Sequence, residues 1–309
     1  MRRRLAFALA VTTAAAIWPL QAQSTAPFTV AETGRSYGSL QDAVSAIGRG
    51  SGTIRIAAGR YGECAVQEAG RVAFVAQVRG TAVFDGGACE GKATLVLRGK
   101  SARVDGLVFT HVRVPDENGA GIRLEDGDLV VAYSRFTDGE NGILTANGLP
   151  GSIAIDRSTF SGLGEGDGTH SLYVGRYGSL KVTNSRFERG VGGHYLKSRA
   201  PRIEVLGNSF DDSGGRRTNY LIDLSNGAVG RIAGNVFVHG TGKENYGTMI
   251  SVAPEGAENR SAGLAVEDND ASVAPGFRWS TVFVGDWSGE ALAIGDNRVG
   301  PKIKPFERR

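Results

Sequence analysis

The chain is 309 residues long, 41% hydrophobic and 22% charged, with a formal net charge of +3 and 46 glycines against nine prolines. Glycine at about 15% is roughly double ordinary usage, but it lacks collagen's every-third spacing, and recurring Val, Ile and Phe exclude a disordered chain. Short apolar runs separated by glycine predict many strands joined by tight turns, an all-β chain.

Residues 1–22 read as a secretory signal: Arg2, Arg3 and Arg4, an uncharged apolar run from Leu5 to Leu20, then small residues around Ala22. The run is short for a membrane span and no basic stop-transfer segment follows it, so membrane insertion is not expected. Residues 23–309 read as one domain of an exported protein, periplasmic or extracellular, with no lipobox cysteine after the signal. Losing three arginines with the signal takes the formal charge from +3 to zero, which excludes general nucleic-acid or anionic-membrane binding. In an exported chain the lone pair Cys64 and Cys89 predicts one disulfide, closing a loop of about 26 residues and contributing roughly 3 kcal/mol by chain entropy. A zinc site needs about four ligands, and the histidine nearest in sequence is His111. No metal site is expected.

In chain order, Ser39 to Ile47 comes first: Ser39 is an N-cap candidate, and Leu40, Ala43, Val44 and Ile47 share one helical face. Such a helix would cap the open end of a strand stack, whose edge otherwise recruits other chains. G-T-I-R-I-A-A-G-R-Y (52–61) then reads as a first strand and turn. Six segments follow with an apolar start and a Phe end: 104–109, 131–136, 155–160, 182–187, 205–210 and 232–237. Their phenylalanines lie 27, 24, 27, 23 and 27 residues apart. Ser or Asn holds the fourth position of five of them, placed for hydrogen-bonded ladders between stacked turns. Weaker copies begin at Val266 and Ile294. No helical stretch separates the strands, which excludes βαβ units, and the leucine-rich-repeat signature is missing. This period predicts the coils of a parallel β-solenoid.

The S-L-Q-D-A-V helix, the T-I-R-I-A-A-G-R-Y strand and the N-S-x-F coils resemble the secreted right-handed parallel β-helix proteins of the pectin lyase-like superfamily, over about residues 28–300. The resemblance implies a right-handed parallel β-helix. It leaves the reaction open, since that superfamily includes lyases, hydrolases, esterases, epimerases and phage tail spikes. G-H-Y-L-K-S-R-A (193–200) and Y-L-I-D-L-S-N-G (220–227) resemble a pattern of exported bacterial β-helix proteins.

A second strand per coil aligns as 142–147, 170–175, 194–199, 220–226 and 248–253. Leu144, Leu172, Leu196, Ile222 and Ile250 then form an inward apolar column, and the alternation of strand side chains turns their neighbours outward. The outward column reads Thr145, Tyr173, Lys197, Asp223, Ser251; two residues on it reads Asn147, Gly175, Arg199, Ser225, Ala253. His170 and His194 start adjacent strands at the edge of this patch, as catalytic groups or as a turn-stabilising imidazole ladder. Loops 161–169, 211–219 and 240–247 would wall a groove, with Arg216, Arg217, Lys243 and Tyr246 on its rim. Tyr195, Tyr220 and Asn226 are further candidates for substrate contact. Glu255 and Glu258 read as solvated loop charges, and Asp116, Glu117 and Glu140 as charges that keep turns soluble.

This constellation fits β-elimination on an acidic, uronic-acid-containing polysaccharide. The enzyme must neutralise the C5 carboxylate, remove the C5 proton and protonate the departing oxygen. Arg199 supplies a permanent cation for the carboxylate. Lys197, flanked by Arg199, is the first candidate base, Tyr173 the acid or the base, and His170 or His194 an alternative for either role. Superfamily lyases resemble this scheme in placing basic residues on a β-helix face, often with calcium; no calcium motif is visible, no cofactor is required, and calcium stays possible. Hydrolysis needs two carboxyl groups, Asp223 with Asp211, Asp212 or Asp167. Non-catalytic polysaccharide binding would use Tyr173, Tyr195 and Tyr220, and a C5-epimerase would share the proton-abstraction step. A monomer is expected.

Overall fold

A computed structural model describes residues 26–148, 150–165 and 168–309. The signal segment 1–22 and Asp167 lie outside the described residues. The chain winds into a parallel β-solenoid of about nine turns, each contributing one strand to each of three sheets. Every strand pairing among the described residues is parallel, apart from an N-terminal ribbon in which Phe28–Val30 pairs antiparallel with Arg35–Tyr37 and with Ser51–Ile56. That ribbon and the helix Leu40–Ile47 together cover the first coil. Ser39 caps the helix, accepting from the Asp42 N–H at 3.2 Å, and Leu40, Ala43 and Val44 are buried beneath it.

One corner of the coil explains the repeat. The third residue of each of the six segments is left-handed, whether it is Gly106, Gly207 and Gly234 or Tyr133, Arg157 and Asn184. A positive φ turns the chain from the first sheet into the second. The fourth residue then bridges coils through its backbone N–H: Ser158 donates to Ser185 Oγ at 3.1 Å, Ser185 to Asn208 Oδ1 at 2.8 Å, Asn208 to Asn235 Oδ1 at 2.8 Å and Asn235 to Asn269 Oδ1 at 2.9 Å. Two residues on, the phenylalanines stack inside. Phe84, Phe109, Phe136, Phe160, Phe187, Phe210 and Phe237 form one column with neighbouring centroids 4.7 to 5.8 Å apart. In-register parallel pairing puts like residues above one another, so one Phe per coil yields a continuous stack. Cys64 and Cys89 are joined by a disulfide.

The third sheet carries the outward column. Tyr173 pairs with Lys197, Lys197 with Asp223 and Asp223 with Ser251, as the sequence alignment expects. One coil departs from that alignment. Ile143, not Leu144, pairs with Leu172, and Leu144 stands beside Tyr173 on the outer face. Leu144 is covered there by a small apolar cluster with Ala93, Val96 and Ala120, against which Tyr173 packs. Asn141–Thr145 is buried on both faces, so alternation of apolar residues carries no signal for its register. Thr145 instead accepts from the Gly175 N–H at 2.8 Å.

Candidate active site

Lys197 and Arg199 lie two residues apart on one outward strand face, beside Tyr173 on the preceding coil and Asp223 on the following one. Asp223 is 1% exposed. A carboxylate at that depth requires partners, and it has them: Ser251 donates to Oδ1 at 2.8 Å, Ser225 to Oδ2 at 2.8 Å, and Lys197 Nζ lies 3.2 Å from Oδ2. Lys197 also donates to Glu255 Oε1. Arg199 spreads its fork over three acceptors: Nε to the Tyr173 hydroxyl at 2.9 Å, one Nη to Asn226 Oδ1 at 2.6 Å and the other to Glu255 Oε2. Lys197 Nζ lies 5.7 Å from the centre of the Tyr173 ring and the guanidinium carbon of Arg199 5.9 Å from it, so two cations flank one phenol.

Glu255 corrects the sequence reading. It is not a solvated loop charge but the group that bridges Lys197 and Arg199. Burial raises its carboxyl, yet the hydrogen bonds from Lys197 and Arg199 outweigh this and hold it below the ordinary carboxylate range. The signal in the sequence is loop length. Only residues 199–201 and 225–228 separate third-sheet from first-sheet strands in the two preceding coils, whereas 253–264 do so here. A long insertion beside a functional face is a reason to suspect its charges. Glu258, on the same loop, pairs with Arg176 at 2.7 Å. Glu140 is a second correction: it is buried and accepts from the backbone N–H groups of Val114 and Gly119, pinning a turn.

His170 and His194 form the ladder anticipated as one of their two readings. The rings stack at 4.8 Å, and Tyr220 continues the stack at 5.2 Å. His170 Nδ1 accepts from the His194 N–H at 3.0 Å, and His194 Nδ1 accepts from the Tyr220 N–H at 3.1 Å. Those bonds assign the ring proton to Nε2 in both neutral imidazoles. Burial holds His170 well below its ordinary range and pushes His194 down to about 3. His194 Nε2 lies 3.5 Å from Asp223 Oδ2, so the ladder abuts the cluster.

The remaining candidates separate. Asn226 joins the site through Arg199. Tyr195 does not face a ligand: it is 1% exposed, donates to Asp212 Oδ1 at 2.8 Å, and burial raises its phenol well above the ordinary range. Lys243 is not on a rim; its side chain is fully buried, 2.8 Å from Asp212. Arg216 and Arg217 stay exposed on their loop, and Tyr220 is half-buried. Asp211 faces Arg186 and Ser213, while Asp212 is sealed inside, so neither joins Asp223. Among the described residues no group of three or more His, Cys, Asp or Glu is arranged to hold a metal, and no helix is long and apolar enough to cross a membrane.

No protein-family model matches the chain, and no curated protein does. Among solved structures, the chain is similar to the surface protein and adhesin PfbA of Streptococcus pneumoniae, at 12% identity and a TM-score of 0.45, covering 87% of this chain and 94% of that one. It is also similar to a mutant pectin methylesterase in complex with a hexasaccharide, at 11% identity and a TM-score of 0.42, covering 88% of this chain and 78% of the other. Neither likeness speaks to this chain's chemistry.

Proposed function

We propose that the protein is a lyase that cleaves a uronic-acid-containing polysaccharide by β-elimination at the Tyr173, Lys197 and Arg199 cluster. One observation carries this reading: Arg199 donates to the Tyr173 hydroxyl while Lys197 stands beside the same ring. A proton-moving group and two carboxylate-binding cations thus share one outward face. Arg199 and Lys197 neutralise the C5 carboxylate and stabilise the enolate-like charge that develops on it. Lys197 Nζ donates to Glu255 and is ion-paired with Asp223 at 3.2 Å. That is the pattern of an ammonium, so the proton work passes from Lys197 to Tyr173. On substrate binding the Tyr173 hydroxyl gives its proton to solvent; its oxygen then takes the C5 proton, the C5–H electrons form the C4–C5 double bond, and the C4–O bond breaks. The same phenol then protonates the departing oxygen, which restores the phenolate. Asp223 and Asn226 position Lys197 and Arg199, and the histidine ladder fixes the strands that carry them. Export by the N-terminal signal would bring the enzyme to periplasmic or extracellular polysaccharide, as a monomer.

Hydrolysis finds less support. Asp223 is walled in by two serines and a lysine, and its proposed partners Asp211 and Asp212 are engaged elsewhere. The test is ultraviolet absorbance during incubation with a panel of acidic polysaccharides, with and without calcium. A rise reports the C4–C5 double bond and identifies the substrate class. A flat trace with release of reducing ends would replace elimination by hydrolysis, and silence in both assays would leave a binding protein.

A further inference from the structure

Without Glu255 the cluster would hold one uncompensated cation. Lys197 is balanced by Asp223, which is buried and held by Ser225 and Ser251. Arg199 has no such partner: apart from Glu255, its side chain meets the neutral Tyr173 hydroxyl and Asn226 amide oxygen. The balancing charge is Glu255, which places one oxygen on each cation. Its side chain is 41% exposed, against 9% for Lys197, 16% for Arg199 and 1% for Asp223. It is the member of the cluster that solvent reaches most easily.

The loop around Glu255 is anchored without that carboxylate. The Glu255 N–H donates to the Ser225 carbonyl at 2.9 Å and the Asn259 N–H to the Asn226 carbonyl at 2.9 Å. Asn259 Nδ2 reaches the Gly227 and Arg199 carbonyls at 3.0 and 3.2 Å, and Arg176 holds Glu258. The Glu255 side chain is therefore free to swing into solvent while the loop stays in place. What it leaves behind is a seat with two adjacent donors and one uncompensated positive charge, the complement of a single carboxylate.

We infer that Glu255 is an internal occupant of a carboxylate seat, which a uronate carboxylate displaces on binding. The inference rests on reading this cluster as a uronate site, and it adds that the resting protein is occupied by its own side chain. Displacement lowers apparent affinity by the strength of the internal pair. It also disfavours neutral sugars, which cannot replace the charge that leaves.

The experiment is calorimetric titration of the full chain, Glu255→Gln and Glu255→Ala with sodium glucuronate, sodium galacturonate and glucose at low ionic strength. Both variants should bind a uronate at least tenfold more tightly than the parent, with no gain for glucose, and the gain should shrink as salt rises. Circular dichroism confirms that the variants are folded. Equal or weaker uronate binding in both folded variants overturns the inference, including the case in which neither the parent nor a variant binds. The two readings fail separately: tighter uronate binding without any ultraviolet signal on polysaccharide keeps the seat and removes elimination. An ultraviolet signal without tighter binding does the reverse.

Discussion

Two lysine–aspartate pairs in this molecule have nearly the same chemistry and opposite surroundings. Lys243 and Asp212 lie 2.8 Å apart with side chains fully buried, and every further bond to Asp212 comes from the fold: Tyr195, Thr218 and the Gly240 N–H. Lys197 and Asp223 lie 3.2 Å apart, but Lys197 gives its next bond to Glu255, which is partly in solvent. The sealed pair ties three successive loops together and has no ligand to exchange. The open pair has one bond that something else can take. A buried ion pair is thus a poor sign of chemistry by itself, and access to a replaceable partner is the better one.

The sealed pair gives the largest expected effect on stability. Lys243→Met leaves a buried carboxylate without its cation and should cost about 3–5 kcal/mol, read as a lower denaturant midpoint. Lys197→Met should cost less, because water can reach the place its ammonium leaves, while removing any activity. If the two substitutions cost the same stability, the contrast between sealed and open pairs fails.

A smaller effect sharpens the open site's surroundings. His194 is held neutral, with its pKa pushed down by burial to about 3 against an ordinary 6.5. Between those values the unfolded chain binds a proton that the folded chain does not, so this contribution is complete above pH 6.5 and fades as pH falls towards 3. His194→Asn keeps an acceptor for the Tyr220 N–H, as Asn141 already does for the His170 N–H at 2.8 Å. Melting temperatures of the variant should therefore fall less steeply with acidification than those of the parent. Parallel slopes would mean that the imidazole is not buried in its neutral form.

The sequence carried most of the fold because a solenoid repeats its instructions. Phe at each segment end, Ser or Asn at the fourth position and the apolar columns each recur coil after coil, and one observation checks the next. It carried Tyr173, Lys197, Asp223 and Arg199 for the same reason: in-register pairing converts alignment into adjacency. Leu144 and Thr145 were misassigned where both faces of a strand are buried and alternation loses its meaning. Glu255 was misread because its partners are 58 and 56 residues away and it sits on a loop that does not repeat. Tyr195 and Lys243 were misread for a related reason. Lys243 sits on a loop with no period to reveal its direction, and Tyr195 precedes the strand Leu196–Ser198, so the alternation expected over 194–199 does not reach it.

The most direct test of elimination at this face compares the parent with Tyr173→Phe on whichever acidic polysaccharide gives the ultraviolet signal, alongside binding of that polysaccharide by each. The phenyl ring keeps the packing beside Leu144 and loses only the hydroxyl that Arg199 holds. The account predicts a loss of at least about a hundredfold in rate with binding largely kept. A variant that forms the double bond within tenfold of the parent's rate, or a parent that forms none on any member of the panel, would contradict it.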